Sequence, residues 1–202
     1  MKLLYGTTNQ AKLQSMKLAI QDLGFEIIGL NDVKKPIPHV EESGNSPLEN
    51  AKLKAMAYYE AFSLPVFSCD SGLYFEGLDD ELQPGTHIRR INGKELTDEE
   101  MLTYYSNLAK MHGGQLTGRY RNAIYLIVDN KTHFFTMDES IATDPFILTS
   151  VAHEKRVKGF PLDSLSKDIQ TNCYYYDMKE RIVCGSTKQG CRDFFKNAFL
   201  DR

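Results

Sequence analysis

Three groups of residues in this chain have types and spacings that chemistry can use. The first is "YGTTNQAK", Tyr5 to Lys12: an apolar segment, a Gly-Thr-Thr-Asn turn, and a helical pattern carrying Lys12 in its first turn. The opening N–H groups of a helix have no partners within it and sit at the positive end of its dipole, so such a turn suits a phosphate, and Lys12 adds a full charge beside it. The G-x-x-x-x-G-K-[ST] pattern of a Walker loop is absent, and Thr-Asn before a helix equally reads as a plain cap. The second group is the acid pair Glu42 and Asp70. Two converging carboxylates make a hard, oxygen-rich site for Mg²⁺, which keeps several waters and shares phosphate oxygens; Glu41 is an alternative ligand, and loop carboxylates are otherwise simply solvated. The third is "GFPLD", Gly159 to Asp163, where Phe160 can stack on a ring and Asp163 can accept hydrogen bonds, or where a surface turn packs its phenylalanine.

The elements that must hold these groups follow from periodicity. "KLLYG" is a short strand, and "NQAKLQSMKLAIQDLG" places Leu13, Met16, Ile20 and Leu23 on one helical face, with Asn9 as cap and Gly24 as stop. "FEIIGL" is a second strand. After a polar loop with Pro36 and Pro38, Ser46 and Glu49 spell a capping box with proline between them, which predicts a helix over Pro47 to Phe62 with Leu48, Ala51, Ala55, Tyr58 and Phe62 inward. "LPVFSC" is then a strand that ends on Asp70. An acid at the carboxyl end of a strand in an alternating α/β chain stands where ligand crevices form, although Asp-Ser-Gly is also an ordinary turn. Thr97 and Glu100 form another capping box, opening a helix that stops before Gly113-Gly114. "AIYLIVDNKTHFFTM" reads as two β segments joined at Asp129-Asn130, so a mixed sheet is expected, and "TKQGCRDFFKNAF" closes the chain as an amphipathic helix.

Composition narrows the class. With 202 residues the chain can bury a sizeable core without staples, and 42% hydrophobic with 25% charged residues is a globular balance. A net charge of −3 without a basic stripe argues against a nucleic-acid partner, and no apolar run is long enough to span a membrane. Nothing at the N-terminus reads as a signal peptide, so a cytoplasmic enzyme or binding protein is expected. Cys69, Cys173, Cys184 and Cys191 lack C-x-x-C spacing and read as reduced, mostly packed thiols; the five histidines form no catalytic or metal pattern.

The order "GTTNQAK", "EESGNSPLENAKLKA", "LPVFSCDSGL", "PGTHIRR", "RNAIYLI" resembles the inosine triphosphate pyrophosphatase family, whose members hydrolyse deaminated purine nucleoside triphosphates. The resemblance implies an α/β fold: a single domain over residues 1–202 with an elongated mixed sheet flanked by helices, in two lobes with a central nucleotide cleft. It also implies Mg²⁺ as cofactor, a nucleoside triphosphate as substrate, and a homodimer. Carried over by position, Thr8, Asn9 and Lys12 become phosphate contacts, Glu42 a metal ligand, Asp70 a metal ligand and base, Ser71 a substrate contact and Lys54 a second triphosphate contact, with Lys12 and Asp70 the catalytic pair. Phe160 and Asp163 stand where the family reads the base. The chain departs from the family in three places: Cys69 replaces an acid before Asp70, "FPLD" replaces F-G-Y-D, and the S-H-R motif has no counterpart beyond Lys188 and Arg192 in its vicinity. The implied activity is conversion of ITP, dITP or XTP to the monophosphate and pyrophosphate; the alternatives are a pyrophosphatase for another modified nucleotide and a catalytically weak nucleotide-binding homologue.

Overall fold

Strand β1 (Lys2–Tyr5) is apolar at every position after Lys2, which suits a strand covered on both faces. In the computed structural model, which describes residues 1–91, 93–178 and 185–199, it pairs in parallel with β2 (Glu26–Gly29) on one side and β3 (Val66–Phe75) on the other. Its side chains alternate between two cores. Leu3 and Tyr5 join Leu13 of α1 (Gln10–Ala19) and Phe195 of α4 (Gly185–Phe199), whereas Leu4 joins Ala51, Ala55 and Tyr58 of α2 (Pro47–Phe62). Strand β6 (Gln115–Ile127) repeats the alternation, sending Ile124 and Leu126 to the first core and Ala123, Tyr125 and Ile127 to the second. Hairpin partner β7 (His133–Thr136) pairs antiparallel with it, Ile124 opposite Thr136 and Ile127 opposite His133. These elements make one compact unit, Met1–Ser71, Arg121–Thr143 and Cys184–Arg202.

The other unit, Gly72–Tyr120 and Asp144–Val183, contains β4 (Arg90–Ile91), β5 (Lys94–Glu95), α3 (Asp98–Met111), β8 (Phe146–Thr149) and β9 (Ser166–Asp168). Met101, Tyr105 and Leu108 of α3 pack with Leu116 of β6, Phe146 and Leu148 of its antiparallel neighbour β8, and Leu162 and Leu165, while β9 pairs antiparallel with β8. The main sheet is therefore mixed, ordered β2-β1-β3-β6-β8-β9 with β7 beside β6, and helices flank it.

Three details differ from the sequence expectation. Helix α1 ends at Ala19; Ile20 leaves helical geometry at φ −123°, and Gln21–Leu23 forms a separate 3₁₀ turn before Gly24 in the left-handed region at φ 73°. At the start of α2 only half of the capping box forms. Ser46 accepts from Glu49 N–H at 3.2 Å, but the Glu49 carboxylate reaches back to Asn45 N–H at 2.6 Å. The largest difference is that β3 does not end on Asp70 but runs on to Phe75. Beyond Ser71 it gains a new neighbour, since Leu73 and Gly85 exchange backbone hydrogen bonds of 2.9 and 3.0 Å. Gly72 permits this approach, because a Cβ there would lie 3.1 Å from the Gly85 carbonyl and 2.8 Å from the Tyr74 ring.

Candidate active site

The phosphate-suited turn is built as a helix start. Asn9 caps α1, its Oδ1 accepting from Ala11 N–H at 2.9 Å and Lys12 N–H at 3.1 Å, while Asn9 N–H donates to Thr7 Oγ1. Thr8 is exposed, and its carbonyl accepts from the Asn31 side chain at 3.4 Å. Lys12 is exposed as well, and its ammonium makes no ion pair among the described residues.

Helix α2 and strand β3 bring the acids together. Asn50 and Lys54 are four apart on α2 and therefore share a face, which looks onto Asp70. Lys54 Nζ donates to Asp70 Oδ1 at 3.0 Å and to Glu42 Oε2 at 2.9 Å. The other Asp70 oxygen, Oδ2, accepts from Asn50 Nδ2 at 3.1 Å, and Asn50 Oδ1 accepts from Gly44 N–H at 2.8 Å. The Lys54 and Asp70 side chains are only 12% and 15% exposed while Glu42 is 46% exposed, so the lysine–aspartate contact is sheltered and the glutamate faces water. Burial works against a charged Lys54 amine, but Asp70 and Glu42 outweigh it and hold its pKa above the ordinary lysine range.

Two neighbours complete this surround. Burial pushes the Cys69 thiol up to about 11 against the pull of its Tyr5 hydrogen bond and of the Lys12 and Lys54 charges, so at neutral pH it is a protonated thiol where the family carries an acid. Ser71 Oγ donates to Asn122 Oδ1 at 2.7 Å, and Asn122 Nδ2 donates to the Ile141 carbonyl at 2.7 Å, which fixes the hydroxyl just past Asp70.

The structure thus gathers Glu42, Lys54 and Asp70 around one point. Glu41, the alternative ligand, is exposed in the same loop. Arg192 does not join them: its Nε and Nη2 atoms fork onto Asp22 Oδ2 at 2.9 and 2.6 Å, tying α4 to the turn after α1. Lys188 is exposed on α4. In the second unit Phe160 is 51% exposed, so its ring is presented rather than packed, and Asp163 is half-buried in the 3₁₀ turn Pro161–Leu165. Cys173 is exposed, unlike the packed thiol expected, and Cys184 lies outside the described residues. Asn50 and Asn122 are the residues that motif reading passed over. Asn50 had a signal, its i, i+4 spacing from Lys54 inside the quoted "ENAKLKA"; Asn122 had none, because its pairing with Ser71 is long-range.

A profile of the Ham1 family matches residues 3–144. The chain is 28% identical over 181 residues to a dITP/XTP pyrophosphatase of Mannheimia succiniciproducens, covering 88% of this chain and 87% of that protein. It is 39% identical over 90 residues to one of Aquifex aeolicus, where the match spans 45% of this chain and 42% of the relative, less than half its length. Among solved structures, the Staphylococcus aureus Ham1 protein superposes with a TM-score of 0.73 at 20% identity, over 100% of this chain and 98% of that one. A HAM1 protein from Coxiella burnetii gives 0.77 at 18% identity, over the whole of both chains. At these identities the structures speak for the fold alone; with a family profile spanning more than half of the sequence, the chain belongs to the Ham1 family.

Proposed function

We propose that this chain is a nucleoside triphosphate pyrophosphohydrolase acting on deaminated purine nucleotides, ITP, dITP and XTP, and working as a homodimer. The observation that carries the reading is the convergence of Glu42 and Asp70 on the Lys54 ammonium at 2.9 and 3.0 Å. The name dITP/XTP pyrophosphatase, borne by the relatives, supplies the substrate class.

The donor set fits Mg²⁺. Both groups are carboxylates, hard oxygen donors that meet at the Lys54 ammonium, and they offer two protein ligands only, since no cluster of three or more His, Cys, Asp or Glu side chains that could hold a metal occurs among the described residues; Mg²⁺, which keeps several waters, accepts so small a set. Glu42 and Asp70 would hold such an ion, leaving its other positions to water and phosphate. Bound there, Mg²⁺ supplies neutralisation of the triphosphate charge. Asp70 takes a proton from water as the water oxygen bonds to the α-phosphorus; the bond to the bridging oxygen breaks and pyrophosphate leaves. Lys12 receives charge on the departing group beside the start of α1, whose Ala11 and Lys12 N–H groups are taken by Asn9, and Lys54 hydrogen-bonds the Asp70 carboxylate and can turn to a phosphate oxygen. Phe160 presents a face for the base.

The test is an assay of purified protein with Mg²⁺ and a panel of nucleoside triphosphates, scoring pyrophosphate against orthophosphate. Pyrophosphate with the monophosphate, highest for ITP or XTP, is the expected result. Binding without turnover would favour the weak-homologue reading, for which the protonated Cys69 thiol in place of an acid is the supporting observation.

A further inference from the structure

Asn50 is 2% exposed, one of three polar residues buried to 2% or less among those described, with Ser68 and Ser164, and both ends of its carboxamide are engaged by groups that allow only one orientation. A backbone N–H can only donate, so the atom facing Gly44 is the oxygen; an ionised carboxylate can only accept, so the atom facing Asp70 is the NH₂. Asp70 is thereby fixed from two successive turns of α2, Oδ2 by Asn50 at 3.1 Å and Oδ1 by Lys54 at 3.0 Å. The same amide anchors the backbone two residues past Glu42. The chain there is pressed so closely on α2 that a Cβ at Gly44 would lie 2.7 Å from Asn50 Oδ1 and 2.6 Å from Glu49 Cβ.

We infer that Asn50 is a positioning residue for the hydrolysis, setting the plane of the Asp70 carboxylate and the place of the Glu42 loop relative to it. The inference rests on Asp70 being the water-activating acid. A buried amide that served the fold alone could spend its NH₂ on any acceptor; this one spends it on the Asp70 oxygen that Lys54 leaves free. An apolar residue of similar size would fill the space yet leave Gly44 N–H and one Asp70 oxygen without protein partners. Lys54 alone would then hold the carboxylate, through one oxygen, and the group could swing about that contact. Misplacement of a catalytic group by an ångström costs up to ~10²-fold in rate.

Asn50→Asp keeps an acceptor for Gly44 N–H but sets a second carboxylate against Asp70 in place of the donor, so two oxygens repel where a hydrogen bond joined the side chains. Its kcat should fall ~10- to 100-fold with KM within ~3-fold of wild type, since the ground-state contacts to the nucleotide are untouched. The swapped double variant Asn50→Asp/Asp70→Asn rebuilds the hydrogen bond in reverse and should recover the melting temperature that Asn50→Asp loses, while staying as inactive as Asp70→Asn. Asn50→Ala added to Asp70→Asn should slow it no further, because a positioning residue has nothing left to position. Wild-type kcat in Asn50→Asp, or a double variant slower by the full product of the two single losses, overturns the role of Asn50 while leaving Asp70 in place. Wild-type kcat in Asp70→Asn with a slow Asn50→Asp overturns the catalytic reading itself.

Discussion

An aspartate inside a strand between an asparagine and a lysine is an over-determined group: each oxygen has its own donor, and Lys54 keeps a charge beside it at any physiological pH. Asp70→Asn preserves volume and can still accept from Lys54, but it removes the carboxylate charge that the proposed proton acceptor and metal ligand requires. Turnover should fall at least ~10²-fold with the fold retained, measured as kcat alongside circular dichroism. The adjacent Cys69 yields a second expectation from acidity. With its pKa pushed up to about 11, the Cys69 thiolate is a roughly 10⁻³ fraction at pH 8, so iodoacetamide should modify exposed Cys173 well before Cys69. Peptide mapping after timed alkylation reads the order, and equal rates at the two cysteines would contradict the half-buried, protonated thiol.

At the scale of elements, the chain follows its local signals wherever those signals are self-contained. Helix α2 begins at Pro47 and ends at Phe62 as its cap and periodicity require, and α3 opens on a reciprocal box in which Thr97 and Glu100 satisfy each other. Glu100 is held down to about 2 by its hydrogen bond to Lys94 and those to Thr97. Because its folded pKa lies below the ordinary glutamate value, about 4.3, the stability it contributes is present above that pH and is lost as pH falls through about 2. Glu100→Gln should therefore lower the melting temperature at pH 7, and the gap from wild type should close between about pH 4.3 and 2. What the sequence could not reveal depends on partners far along the chain. The extension of β3 past Asp70 needs Gly85 as a neighbour, the early end of α1 is a departure at Ile20 that its apolar spacing does not register, and the tie between Asp70 and Asn50 crosses twenty residues. Motif order named Glu42, Lys54 and Asp70 as candidates, and the structure brings them into contact; the hydrogen bonds between them were not legible in it.

Across the whole molecule, the residues assigned to the phosphates and those assigned to the base fall in different compact units: Thr8, Asn9, Lys12, Glu42, Lys54 and Asp70 in the first, Phe160 and Asp163 in the second. Their effects on specificity should therefore be separable. Lys12→Ala should weaken every nucleotide to a similar degree, because a triphosphate tail is common to all of them, and a loss confined to one base would contradict that assignment. The base end obeys a different rule. A site that reads hydrogen bonds punishes a mismatched ring by leaving its own polar groups unpaired, whereas stacking accepts any ring. On the proposed reading Phe160, 51% exposed, would stack on the base and Asp163 would accept from it, but the chain has no histidine at the position of the family's S-H-R motif. It should thus prefer ITP or XTP while discriminating against ATP and GTP less sharply than relatives that carry the full motif. Phe160→Ala should weaken all bases by ~1 to 3 kcal/mol, and Asp163→Ala should instead change their order. The ratio of kcat/KM for ITP to that for ATP, measured in wild type and both variants, decides between them. A wild-type protein that ignores ITP and XTP but cleaves a pyrimidine triphosphate would mean that the altered "GFPLD" segment builds a pocket for another base, with the phosphate chemistry of the first unit unchanged.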